Sequence, residues 1–250
     1  VQALSIIAHR GASYDAPENT LASIRLAWQQ DADAAEIDVH LSRDGEIVVI
    51  HDHDTCRTTG FSGKVASQLL GELKELDVGA WKGNQFTGER IPTLDEVLAV
   101  LPTEKRLVIE IKSGGGAVAT ALQTSLDRSD VRLEQISFIS FDLDLLKATK
   151  AVLPEVEVLW LHDSPREKDA AERIAQLERL IHICRQQKFD GLNINWGWPI
   201  DKRVVQHVKN AELKLYAWTV NDCDVARQLM EAGIDGITTD RPGWLREQLQ

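Results

Sequence analysis

Nine short apolar runs recur along the 250-residue chain, at residues 4–8, 35–41, 47–51, 106–111, 136–140, 156–161, 189–194, 213–219 and 236–239. Most are separated by amphipathic stretches of helical period, and such alternation predicts a parallel sheet covered by helices. Residues 20–30 place Leu21, Ile24 and Trp28 on one face. Thr93 stands three residues before Glu96, the spacing of a capping box, and residues 224–232 stop at Gly233, a natural helix end. One connection breaks the pattern. Ser42-Arg43-Asp44-Gly45-Glu46 is too short for a parallel crossover, which needs about a dozen residues, and Asp-Gly between strand-like runs marks a hairpin. Residues 47–51 should therefore fold back antiparallel on an extension of the second strand. That leaves eight strands, enough to close a (β/α)₈ TIM barrel, a fold that typically uses about 250 residues. With Asp44 and Gly45 as the central turn residues, Asp38 would face His51 and Glu36 would face His53.

Residues 42–92 read as a small segment inserted after that second strand. The part from His53 to Arg90 is turn-rich (Thr58-Thr59-Gly60, Ser62-Gly63, Lys82-Gly83-Asn84), with one helical stretch near 67–76. It is expected to cap one end of a single barrel domain spanning 1–250. The net charge of −11, with acidic residues spread along the chain, argues against nucleic acid and anionic membrane surfaces as partners. Cys56, Cys184 and Cys223 are odd in number, far apart and in no CxxC pattern, as expected of reduced thiols in a cytoplasmic protein. No run approaches the roughly 18 apolar residues of a membrane span. Residues 1–8 are too short and uncharged to read as a signal peptide; a longer precursor stays open.

The chemistry gathers at strand ends, where barrels of this kind build their active sites. His9 and Arg10 end the first run, and Glu36 and Asp38 share one face of the second. His51 ends the hairpin strand, Glu110 and Lys112 end the next, and Asn193, Asn195, Trp218 and Asn221 close later ones. Glu36, Asp38 and Glu110 offer three hard oxygen ligands for one divalent cation, Mg²⁺ or Ca²⁺, rather than a zinc site. The plain alternative is a metal-free ion-pair network with Arg10 and Lys112. Two histidines suit a general acid and a general base, although either alone would read as a satisfied strand-end residue. Arg10 and Lys112 could grip a phosphate, or simply neutralise the acids; both can hold. Trp218 could roof a substrate or merely pack. His51 and His53 form an HxH pair as in metal-dependent amidohydrolases, but there the motif belongs to the first strand, which here carries only His9. Glu18-Asn19-Thr20 reads as a helix start, and Gly114-Gly115-Gly116 as a flexible loop.

At these residues the sequence resembles the glycerophosphodiester phosphodiesterase family. The matching signatures are His9-Arg10-Gly11-Ala12, Pro17-Glu18-Asn19-Thr20-Leu21, Glu36-Ile37-Asp38-Val39, Ser42-Arg43-Asp44-Gly45 and His51-Asp52. Arg57-Thr58-Thr59-Gly60, Ile91-Pro92-Thr93-Leu94, Glu110-Ile111-Lys112, Trp218-Thr219-Val220-Asn221 and Gly236-Ile237-Thr238-Thr239-Asp240 follow in order. The resemblance is greatest to compact bacterial cytosolic members. It implies a barrel with a small insertion that hydrolyses glycerophosphodiesters, such as glycerophosphocholine or glycerophosphoethanolamine, to sn-glycerol 3-phosphate and an alcohol. It also implies His9 and His51 as the acid–base pair, Glu36, Asp38 and Glu110 as ligands to one cation, and Arg10 and Lys112 at phosphate-contacting positions. His53 and the Trp198-Pro199 pair depart from the pattern. A phospholipase D-like or cyclising enzyme acting on intact lipid shares parts of it, and a silent relative could bind phosphodiesters without cleaving them. Retention of both histidines and all three carboxylates opposes the silent reading, because a pure binder needs no acid–base pair.

Overall fold

The computed structural model describes residues 4–164 and 169–250. Among them run the strands β1 (Ser5–Ala8), β2 (Ala34–Leu41), β3 (Ile47–Val49), β4 (Arg106–Ile111), β5 (Ile136–Ser140), β6 (Glu157–His162), β7 (Gly191–Asn195), β8 (Lys214–Trp218) and β9 (Gly236–Thr239). All except β3 pair in parallel, and β1 joins both β2 and β9, which closes the barrel. Helices fill most of the connections. Their ends follow local chemistry. The Thr20 hydroxyl accepts from the Ser23 amide to start the helix Leu21–Gln29, Thr93 and Glu96 cap each other, and Gly233 at φ +88° ends Cys223–Ala232.

The hairpin forms as β3 on β2, but one residue out of the expected register. Leu41 pairs with Ile47 and Val39 with Val49. The turn holds three residues, 43–45, with Gly45 in the left-handed region at φ +84° and its amide donating to the Ser42 carbonyl. A type I turn closed by such a glycine is the common three-residue solution. A slip of one changes which residues face one another. Asp38 therefore faces Ile50, whose amide donates to its carbonyl at 3.0 Å, rather than His51. Glu36 has no His53 partner: β3 stops at Val49 and His53 is exposed.

Alternation divides the barrel wall into two faces. Ala35, Ile37, Val39, Leu107, Ile109 and Ile111 face outward into the core beneath the helices. Ile7, Ala34, Val108, Ile139, Leu159, Leu161 and Tyr216 fill the interior. A charged floor lies at the strands' N-terminal ends, where Glu157 accepts from Arg106 (2.5 Å), Ser137 and Lys214. Glu36, Asp38 and Glu110 stand at the opposite end of the same inner face.

Val48, Ile50, Val65, Leu73, Val78 and Ile91 pack into a separate cluster that fixes residues 42–92 onto the hairpin. The helical stretch expected near 67–76 is a 3₁₀ turn, Val65–Ser67, followed by a short helix, Leu70–Lys74. Gly114-Gly115-Gly116 is not a free loop. Gly114, at φ +122°, precedes the helix Gly115–Asp127, which the other two glycines open.

Candidate active site

Register explains why the site assembles. β1 runs between β9 and β2, with Ile7 opposite Thr238 on one side and Ala34 on the other. Two residues further on, His9 reaches the level of Asp240 and Glu36. In the β2–β4 ladder Asp38 lies beside Glu110. The pocket at this mouth is a cavity of about 150 Å³. Its polar side carries His9, Arg10, Glu36, His51, Glu110 and Lys112; Ile139, Phe141, Leu161 and Trp218 form an apolar side. Asp38 lies just beneath, 1% exposed. The structure thus brings together all eight candidates. Trp218 is half-buried, donates its indole N–H to the Asn193 carbonyl at 3.2 Å, and meets Phe141 edge-on at 5.6 Å.

The two histidines have the same arrangement. His9 Nδ1 lies 2.6 Å from Asp240 Oδ1, and His51 Nδ1 lies 2.6 Å from Asp52 Oδ1. Burial works to raise both aspartates, but hydrogen bonds outweigh it, from His9, Asn221 and Ser13 to Asp240 and from Arg57 and His51 to Asp52. Each carboxyl is brought down to about 2. Ionised carboxylates can only accept, so each Nδ1 carries the proton and donates it. That tautomer leaves each Nε2 as the free nitrogen. Burial holds His51 below the ordinary histidine value, against the pull of Asp38. His40 fixes the peptide behind it, with Nε2 3.0 Å from the His51 carbonyl and Nδ1 3.0 Å from Ser113 Oγ.

Oxygens of Glu36, Asp38 and Glu110 lie within 4.8 Å of one another. Burial and the neighbouring acids push Glu36 well above the usual carboxylate range and Glu110 up to about 7. Arg10 and Lys112 keep Asp38 below it despite its burial. A divalent cation would relieve this crowding. Asp38 Oδ1 is buried without a hydrogen bond, although Lys112 Nζ stands 3.3 Å away. An orphaned oxygen in a set of three hard donors fits Mg²⁺ or Ca²⁺.

The ion-pair alternative is also present. Lys112 Nζ reaches Glu110 at 2.7 Å; Arg10 reaches Asp38 at 3.2 Å and Glu18 at 2.8 Å. Arg57 then bridges Glu18 to Asp52. Charge therefore alternates without a break from Glu110 to the carboxylate behind His51. Arg10 at φ +55° and Gly11 at φ +78° turn the chain so that the Arg10 amide donates to Glu36 Oε2 at 2.9 Å. A side chain at Gly11 would collide with Ser23.

Asn19 was expected only as a helix cap. Thr20 caps instead, and Asn19 grips Asp38. Asp52 and Asp240 lie within recognised signatures, yet nothing local marks them as partners of the histidines. His9 and Asp240 are 231 positions apart, and only barrel closure joins them.

The model of the glycerophosphoryl diester phosphodiesterase family matches residues 9–244. This chain belongs to that family. A glycerophosphodiester phosphodiesterase of Caldanaerobacter subterraneus is 34% identical over 95% of this chain and 94% of its own. The Bacillus subtilis protein YhdW is 35% identical over 96% of each. An Oleispira antarctica phosphodiesterase, solved with the product sn-glycerol 3-phosphate, superposes with a TM-score of 0.86 at 35% identity, covering 98% of this chain and 96% of that one. As a family member the chain is a phosphoric diester hydrolase, a glycerophosphodiester phosphodiesterase with the TIM-barrel fold.

Proposed function

We propose that this phosphodiesterase hydrolyses small glycerophosphodiesters, glycerophosphocholine and glycerophosphoethanolamine among them, to sn-glycerol 3-phosphate and the free alcohol. The observation that carries the mechanism is the matched pair of imidazoles, each with Nδ1 on a carboxylate and Nε2 free beside one pocket. One of them, His9 or His51, takes the proton of the attacking hydroxyl, and the other protonates the departing alcohol. Asp240 and Asp52 hold the rings in the working tautomer and stabilise the imidazolium that forms. Arg10 and Lys112, already at the pocket wall, share the charge that builds on the phosphoryl oxygens. Trp218 offers an apolar wall to the substrate's carbons.

Glu36, Asp38 and Glu110 would hold one divalent cation, Mg²⁺ or Ca²⁺, which supplies Lewis-acid polarisation of the phosphoryl group when bound. Residues 1–250 act as one catalytic domain, with 42–92 as its inserted segment. The substrate is a dissolved small molecule; nucleic acid and stable membrane association are not part of the reading. The net charge of −11 supports this, as does the lack, among the described residues, of any helix long and apolar enough to cross a membrane. The free cysteines are consistent with work in the cytoplasm. The test is release of sn-glycerol 3-phosphate from glycerophosphocholine by the purified protein, with and without chelator. No release in the presence of Mg²⁺ or Ca²⁺ overturns the proposal.

A further inference from the structure

The apolar side of the pocket contains one polar side chain that neither the acid–base pair nor the acidic cluster uses. Asn193 sits in the middle of β7, between Leu161 of β6 and Tyr216 of β8 in the two ladders. It is 2% exposed and lines the pocket. Its main-chain carbonyl accepts the Trp218 indole. Its side-chain Oδ1 is buried without a hydrogen-bond partner among the described residues.

An amide oxygen left unmatched among Leu161, Ile139 and Trp218 is costly in a folded protein, by about 1–3 kcal/mol. Packing does not call for it, since leucine has nearly the same shape and no such cost. Oδ1 is an acceptor, so the complementary group is a donor. That excludes an ionised phosphoryl oxygen and leaves a hydroxyl. The positive side chains at the pocket, Arg10 and Lys112, are bonded to the acidic cluster instead. Tyr216, next to Asn193 in β8, is engaged with Arg106 of the charged floor.

We propose that Asn193 is a specificity-determining residue that accepts a hydrogen bond from a hydroxyl of the substrate's glycerol moiety. This rests on the phosphodiesterase reading above. The glycerol carbons lie along Trp218 and Leu161, and their hydroxyl meets the one acceptor set into that wall. A buried acceptor of this kind discriminates strongly, because an analogue without the hydroxyl leaves it unpaired. Glycerol is thereby selected over a plain alkyl group of equal length, whatever the alcohol on the other side of the phosphorus.

The experiment compares kcat/KM for glycerophosphocholine and propylphosphocholine in wild type and Asn193→Leu, following choline release. Wild type should favour the glycerol ester, and the substitution should shrink that preference by roughly 10- to 100-fold. Calorimetry gives a second readout that does not need turnover. Affinity for sn-glycerol 3-phosphate should fall in Asn193→Leu by a larger factor than affinity for inorganic phosphate. An unchanged preference, or equal loss of both affinities, overturns the assignment of Asn193 alone. A wild type that releases choline from neither ester overturns the phosphodiesterase reading instead.

Discussion

Asn19 and Asp38 exchange two hydrogen bonds. The Asn19 amide donates to Asp38 Oδ2 at 2.8 Å, and the Asp38 main-chain N–H donates to Asn19 Oδ1 at 3.1 Å. Asn19 is 3% exposed and holds φ +57°, a conformation asparagine tolerates better than most residues. It orients the central carboxylate of the acidic cluster from outside it. Asn19→Gly keeps the backbone permissive and removes the grip. The Mg²⁺ concentration needed for half-maximal activity should rise about 10- to 100-fold, the usual worth of a partner that orients a ligand. Unchanged Mg²⁺ dependence would show that Asp38 needs no such support.

Metal dependence follows from the three carboxylates themselves. Chelation should abolish turnover, and Mg²⁺ or Ca²⁺ should restore it. Glu36→Gln, Asp38→Asn and Glu110→Gln should each reproduce the chelated state while circular dichroism reports a folded barrel. Full activity in a verified metal-free preparation would falsify this assignment.

His9→Ala and His51→Ala should each lower kcat by roughly 10²- to 10⁴-fold. His53→Ala should change it little, since that side chain is exposed. Asp240→Asn and Asp52→Asn should cost roughly 10- to 10⁴-fold, because an amide can stabilise the wrong tautomer. Steady-state assays of the five variants separate these roles. An Asp240→Asn enzyme as fast as wild type would leave the carboxylate without its orienting task.

The charged floor makes a prediction about stability. Burial would raise Glu157, but Arg106, Lys214 and Ser137 outweigh it and hold the carboxyl below the ordinary glutamate value. Its contribution is thus present above that ordinary value and is lost as pH falls through the lowered folded one. Lys214 is shifted upward by Glu157 despite its own desolvation. Its contribution is present below the ordinary lysine value and fades as pH rises through the raised one. Glu157→Gln should destabilise the protein at pH 7 by about 3 kcal/mol, since it strands Arg106. It should also flatten the loss of stability on acidification. Urea melts from acid to neutral pH provide the check, and parallel pH profiles for variant and wild type would count against the floor.

Substrate form is testable separately. kcat/KM on glycerophosphocholine should exceed that on the matched diacyl phospholipid in mixed micelles, because net charge opposes approach to a lipid surface. Comparable cleavage of the diacyl lipid would favour a lipid-acting enzyme.

Much of this was legible before any coordinates. Strand–helix alternation gave the barrel, and the five-residue Ser42–Glu46 link identified β3 as the strand outside it. His9, Glu36, Asp38 and Glu110 could be placed because each ends or lines an apolar strand, where a charge is hard to explain by packing. The hairpin register was not legible. Asp44-Gly45 reads as a two-residue turn, yet Gly45 closes a three-residue one, and the two differ only in backbone angles. The histidines' carboxylates were hidden for another reason. Asp52 follows its histidine directly, an adjacency with no fixed structural meaning, while Asp240 meets His9 through closure of the whole sheet. Asn19 carried a sufficient local explanation as a helix cap, which masked its second use.

The placing of β1 between β2 and β9 joins the beginning of the described chain to its far end. His9 needs Glu36 from one neighbour and Asp240 from the other, so half-formed intermediates can hold most of the helices and strands and still lack the site. Catalytic power is therefore a late-arriving property of this polypeptide. During refolding it should return with the last strand-to-strand seam, well after the bulk of the helical signal, and partial barrels should be chemically mute.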